Sequence, residues 1–128
     1  MSELTSCQKE CIRVERDFYN KINKEIQNID TEILNININI GNIVAEKNDA
    51  TNNFDAAEKQ AQLSPSKETQ QALLDASERK KKADEEFKKI KDMQKKVEKL
   101  KEERMDKNEK LNNGFIKLIE KYRSCWEI

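Results

Sequence analysis

The sequence predicts an all-α fold, a long antiparallel two-helix coiled-coil hairpin with its turn at Ser64-Pro65. Three observations predict it. Apolar residues recur at alternating steps of three and four through both halves of the chain, the spacing of a coiled-coil seam. Only one Pro and two Gly punctuate 128 residues, too few for a many-stranded β fold. Charged residues make up 39 % against 35 % apolar and 5 % aromatic. A compact domain usually carries about 45–50 % apolar residues, so this chain suits a narrow seam better than a thick core. The 25 basic and 25 acidic side chains cancel, unlike disordered chains that pair low hydrophobicity with large net charge.

The first arm is expected over residues 3–62. Its seam runs from Leu4, Cys7 and Cys11 through Val14, Phe18, Ile22, Ile26, Ile29 and Ile33 to Ile43, Ala50, Phe54, Ala57 and Ala61, with Lys47 its one charged member. Steps of four from Val14 to Ile26 insert one extra residue, which locally relaxes a left-handed supercoil. Asn35 to Ile40 alternates with the period of a strand, but Ile33, Ile36, Ile40 and Ile43 keep the helical seam, so the segment reads as helix. Ten Asn lower the helix propensity of this arm and make it depend on packing.

The turn falls at residues 63–65, with Ser64 as N-cap and Pro65 at the first helical position, where its missing N–H costs nothing. The second arm follows over 65–125. Its seam passes through Leu73, Ala76, Lys80, Ala83, Phe87 and Ile90, becomes polar from Gln94 to Asn108, and recovers at Leu111, Phe115, Leu118, Tyr122 and Cys125. Met93, Leu100 and Met105 lie one place aside and are expected to slide in to cover the polar stretch.

Folding back at Pro65 pairs seam residues whose numbers total 130 toward the turn, as in Ile43 with Phe87 and Phe54 with Ala76. Toward the ends the total is 129, as in Phe18 with Leu111 and Cys7 with Tyr122. Residues 1–63 hold 7 basic and 11 acidic side chains, a charge of −4; residues 64–128 hold 18 and 14, a charge of +4. Each arm therefore prefers the other to a copy of itself. An arm of roughly 60 residues makes a rod about 90 Å long. A swapped dimer of straightened chains satisfies the same register.

Cys7, Cys11 and Cys125 are odd in number, which argues against a closed disulfide framework, and without His they leave a tetrahedral zinc site one ligand short. Cys7 and Cys11 share a helical face, as a metal clip or redox pair would require, but all three read as small apolar seam residues. With no secretory signal at the N-terminus, the expected compartment is the reducing cytoplasm. No run approaches the about 20 apolar residues of a membrane span.

Chemistry is sparse. Without His there is no histidine base or Ser–His pair, and two isolated Gly make no phosphate loop. Glu85-Glu86 and Glu102-Glu103 sit on a solvated face. Arg79 to Lys82 is followed at once by Asp84, Glu85 and Glu86 without an interleaved aromatic, a pattern that argues against nucleic acid. No catalytic residue, cofactor or metal ligand is expected.

Apolar residues off the seam mark a partner surface near the two termini. Ile12 and Tyr19 are seven apart on the first arm; Ile116, Ile119, Trp126 and Ile128 flank seam residues Phe115 and Tyr122 on the second. This set, Ile12, Tyr19, Phe115, Ile116, Ile119, Tyr122 and Trp126, is expected to dock another protein or a second copy of the chain. Leu34, Ile38, Val44 and Leu74 form a smaller set suited to lateral helix packing.

In length, polarity and central turn the layout resembles the helical-hairpin stalk proteins of flagellar and injectisome export ATPases, and no functional residue is carried over from them. The resemblance illustrates a spacer inside a larger complex. A seam that sets a rigid length, soluble charged flanks and an apolar terminal surface make the expected function a non-enzymatic stalk, spacer or assembly subunit. The alternative is a helical chaperone or inhibitor whose polar-seamed stretch, Gln94 to Asn108, accepts a partner's amphipathic helix.

Overall fold

Nearly every residue that the computed structural model describes, 3–127, is helical: α1 is Ser6–Leu63, α2 Lys67–Lys88 and α3 Ile90–Trp126. The alternating Asn35 to Ile40 segment lies inside α1. Its period of two is overridden because Ile33, Ile36, Ile40 and Ile43 share a half-buried helical face. Two compact units divide the chain: one made of residues up to Ile33 and from Glu98 onward, the other of Leu34–Val97.

In the Leu34–Val97 unit, α1 ends where the Ser64 N–H bonds the Gln60 carbonyl at 2.8 Å. The N-cap of α2 is Ser66, two residues beyond the expected Ser64. Its hydroxyl accepts the Thr69 N–H at 3.1 Å, while Thr69 Oγ1 accepts the Ser66 N–H at 2.8 Å. The reason is chemical. A capping box needs an acceptor three residues after the cap, which Thr69 supplies for Ser66 and Lys67 cannot supply for Ser64. Pro65 therefore precedes the cap and does not open the helix.

The core of this unit is built from small and β-branched side chains, with Ala50, Ala61, Ala76, Ala83, Ile90 and Val97 buried. Two seam lysines serve as ring covers. The Lys47 ammonium lies 3.7 Å from the Phe87 ring centroid, and that of Lys80 lies 4.6 Å from the Phe54 centroid. Such contacts recover attraction for a cation while its stem stays on apolar surface. Beside them Arg79 donates two hydrogen bonds to Glu46, at 2.8 and 3.1 Å. That hydrogen bonding holds the Glu46 carboxyl below its ordinary pKa and raises that of Arg79.

These partners sit four residues on from the expected register: Phe87 meets Lys47 instead of Ile43, and Phe54 meets Lys80 instead of Ala76. Side chains lean toward the N-terminus of their own helix by about one position, which accounts for about two of these four residues; the rest is a shift of the backbone register.

The expected second helix is interrupted once. The Lys89 N–H bonds the Glu86 carbonyl at 3.0 Å, a tightened turn, before the Met93 N–H returns to the Lys89 carbonyl at 3.1 Å. The Lys89 ammonium pairs with Glu86 Oε1 at 2.7 Å across the same three-residue step. Past this point the seam follows Met93, half-buried, and Leu100, buried; Gln94 and Lys101 are exposed. Apolar side chains displace polar ones because only they gain from leaving water. Met105, expected to join them, is 70 % exposed.

In the unit that holds both ends of the chain, Cys11, Ile22, Ile26, Ile29, Leu100 and Tyr122 are buried. Phe18 meets Phe115 edge to face at 5.7 Å between centroids, one turn beyond its expected neighbour Leu111. Arg104 pairs with Asp30 at 2.6 Å and Lys107 with Glu25 at 3.2 Å. The polar seam is therefore served by carboxylates of α1. Along α1 the partners rise from Cys7 through Phe18 and Glu25 to Asp30, as those of α3 fall from Cys125 through Phe115 and Lys107 to Arg104.

The cap assignment is testable by urea unfolding. Ser66→Ala is expected to lower stability by about 1 kcal/mol, while Ser64→Ala stays within about 0.5 kcal/mol of wild type.

Candidate protein-interaction site

The first turn of α1 and the last turn of α3 come together through two links. Thr5 caps α1: its Oγ1 accepts the Gln8 N–H at 3.1 Å and its own N–H donates to Gln8 Oε1 at 3.0 Å. The same Gln8 side chain donates from Nε2 to the Cys125 carbonyl at 3.0 Å, filling one of the acceptors that the end of α3 leaves open. Beside it Cys7 and Cys125 form a disulfide, with Cα atoms 5.6 Å apart. This corrects the reading of three small seam thiols. An odd cysteine count forbids complete pairing but not one bridge, and here it leaves Cys11 free and buried. The Cys11 thiol donates to Glu15 Oε1 at 3.5 Å.

One turn further in, the aromatic cluster takes over. Tyr19 stacks on Phe115 at 6.3 Å while Phe18 meets the same ring nearly at right angles. Gly114 makes the approach possible, because a Cβ there would overlap the Cζ edge of the Phe18 ring. Between this cluster and the end of α3 lies a cleft of about 430 Å³ lined by Cys11, Glu15, Ile119, Tyr122, Arg123, Trp126 and Glu127. Its floor is apolar and its rim charged.

The candidate residues occupy distinct places. Tyr19 (44 %), Ile116 (53 %), Ile119 (60 %) and Trp126 (48 %) are exposed; Ile12 and Phe115 are half-buried; Tyr122 is buried at 6 %. The structure gathers Ile119, Tyr122 and Trp126 around the cleft and joins Tyr19 to Phe115. Ile116, Ile119 and Trp126 recur at three and seven, which puts them on one stripe of α3. Ile128 lies outside the described residues. In the other unit Leu34, Ile38, Val44 and Leu74 are exposed.

Sequence reasoning missed the disulfide, the double role of Gln8 and the space left by Gly114. The signal for the first was present. Cys7 and Cys125 are both seam positions near opposite ends of the chain, and the expected register placed them one turn apart. Among the described residues no cluster of Cys, Asp or Glu could hold a metal ion, and no helix is long and apolar enough to cross a membrane. No family model, curated protein or solved structure matches this chain.

The two glycines predict opposite outcomes on substitution by alanine. Gly41 has open space around its Cβ position, so Gly41→Ala should gain about 0.5–1 kcal/mol from helix propensity. Gly114→Ala should lose about 1–3 kcal/mol, because overpacking against Phe18 outweighs the same gain. Denaturant unfolding of both variants reads the two signs.

Proposed function

We propose that this protein is a non-enzymatic helical interaction protein, an antiparallel coiled-coil hairpin that acts as a stalk, spacer or assembly subunit of a larger complex. Its docking surface is the exposed stripe of Ile116, Ile119 and Trp126 with Tyr19 beside it. The observation that carries this reading is that Ile116, Ile119 and Trp126 are all exposed on one stripe of α3, two of them lining a cleft that also holds Glu15, Arg123 and Glu127, in a chain that is 39 % charged. Large exposed apolar patches mark interaction sites on soluble domains, and Trp and Tyr anchor such sites most often.

The hairpin part of the reading is supported by the order of contacts within each unit. Partners rise in number along α1 as they fall along α3 in one unit, and Lys47–Phe87 and Phe54–Lys80 keep that order in the other. The carboxylates of Glu25, Asp30 and Glu46 come from α1 and their cationic partners from α2 or α3, in the sense that the −4 and +4 halves favour. A chaperone with an open polar groove is less well supported. Leu100 is buried at that stretch, and Arg104 and Lys107 already hold α1 carboxylates. A cytoplasmic setting is compatible with the Cys7–Cys125 bridge if the bridge is transient, as cytosolic disulfides are.

Two experiments test the reading. Trp126→Ala combined with Ile119→Asp is expected to abolish concentration-dependent association or capture of a protein partner, with helicity by circular dichroism unchanged; loss of helicity as well would show that these side chains are core. Mass measurement in solution should give a monomer of 15.0 kDa, whereas a swapped dimer would weigh twice as much.

A further inference from the structure

We infer that the Cys7–Cys125 disulfide is a redox clasp that fixes Trp126 in its place beside the cleft, so that a dithiol reductant releases the docking surface and an oxidant restores it. The inference rests on the docking role proposed for Trp126 and adds its regulation. Four observations carry it.

The bridge joins the first turn of a 58-residue helix to the last turn of a 37-residue one, across 118 positions of sequence. Beyond the burial of Tyr122 one turn earlier, one side-chain bond reaches the last turn of α3 beside the bridge. The final carbonyls of a helix lack intrahelical partners, and Gln8 meets one of them, that of Cys125 itself. Trp126 is the next residue and the last of α3, so whatever holds Cys125 holds the backbone from which the indole reaches the cleft.

Access is asymmetric. Cys7 is exposed and Cys125 half-buried, so the bridge is open to a reductant from the α1 side. Cys11, four residues on, is 2 % exposed and donates to Glu15. It is shielded from exchange although it is the nearest thiol in sequence.

The chemistry balances as thiol–disulfide exchange. A thiolate of the dithiol attacks Cys7 Sγ, and the Cys7–Cys125 bond breaks with its electron pair leaving on Cys125, which takes a proton. The second thiol of the reductant then attacks its own sulfur in the mixed disulfide and expels Cys7 as thiolate, which is protonated in turn. Two electrons and two protons pass to the protein, and the reductant leaves as a cyclic disulfide.

Full-length protein, before and after dithiothreitol, tests the clasp without any partner. Maleimide labelling in denaturant should count one thiol in the oxidised chain and three in the reduced one. Acrylamide quenching of Trp126, the sole tryptophan, should at least double on reduction while far-ultraviolet circular dichroism holds. Cys7→Ser should show the reduced-state quenching in both conditions, and Cys11→Ser should keep the wild-type response. Should Cys7→Ser fail to fold, reduced wild type supplies the same comparison. Three free thiols in air-oxidised protein, or quenching that ignores reduction, overturns the inference. The docking reading fails separately, if Trp126→Ala with Ile119→Asp leaves association of the oxidised protein intact.

Discussion

Burial of one narrow apolar stripe is the constraint from which the other features follow. Helices of 58 and 37 residues are far longer than the globular average, and α1 is rich in Asn, which weakens it in isolation. Each helix persists because its stripe leaves water against another segment. With so little apolar material, every contact along the stripe counts. Buried alanines predominate in one unit, and isoleucines with an aromatic cluster in the other.

Electrostatics adds selectivity more than cohesion. Exposed ion pairs contribute little each, since solvent and salt screen them. Yet Glu25–Lys107, Asp30–Arg104 and Glu46–Arg79 point the same way, acid from α1 and base from the later helices. A pairing of α1 with a second α1 would lose that complementarity and set like charges against each other. The sequence halves, at −4 and +4, already carry this bias in their composition.

How much was legible from residues alone varied with the range of the interaction. Helical identity was legible even through the alternating Asn35 to Ile40 segment, because the seam spacing extends far beyond it. The stripe itself was legible, including the step aside to Met93 and Leu100 at the polar stretch, but not at Met105, which stays exposed. The cap was misplaced by two residues because the reciprocal bond from Thr69 decides it, and a lone Ser gives no hint of that. Contact register was off by about one turn, since it depends on the lean of side chains and on where the turn closes. The Cys7–Cys125 bridge needed that register to be recognised. Around the candidate site, the exposed stripe was visible as off-seam residues, but the cleft and the role of Gly114 are properties of three-dimensional fit.

The reciprocal lysine–phenylalanine contacts have a further meaning. Lys47 covers Phe87 and Lys80 covers Phe54, so each segment contributes one cation and one ring to a double exchange. Loss of either lysine would bare a ring, and loss of either ring would strand an ammonium on an apolar stripe. Drift at these four positions is therefore coupled: a tolerated replacement on one helix calls for its counterpart on the other, and the two pairs together act as an address that tells each segment which neighbour is its own.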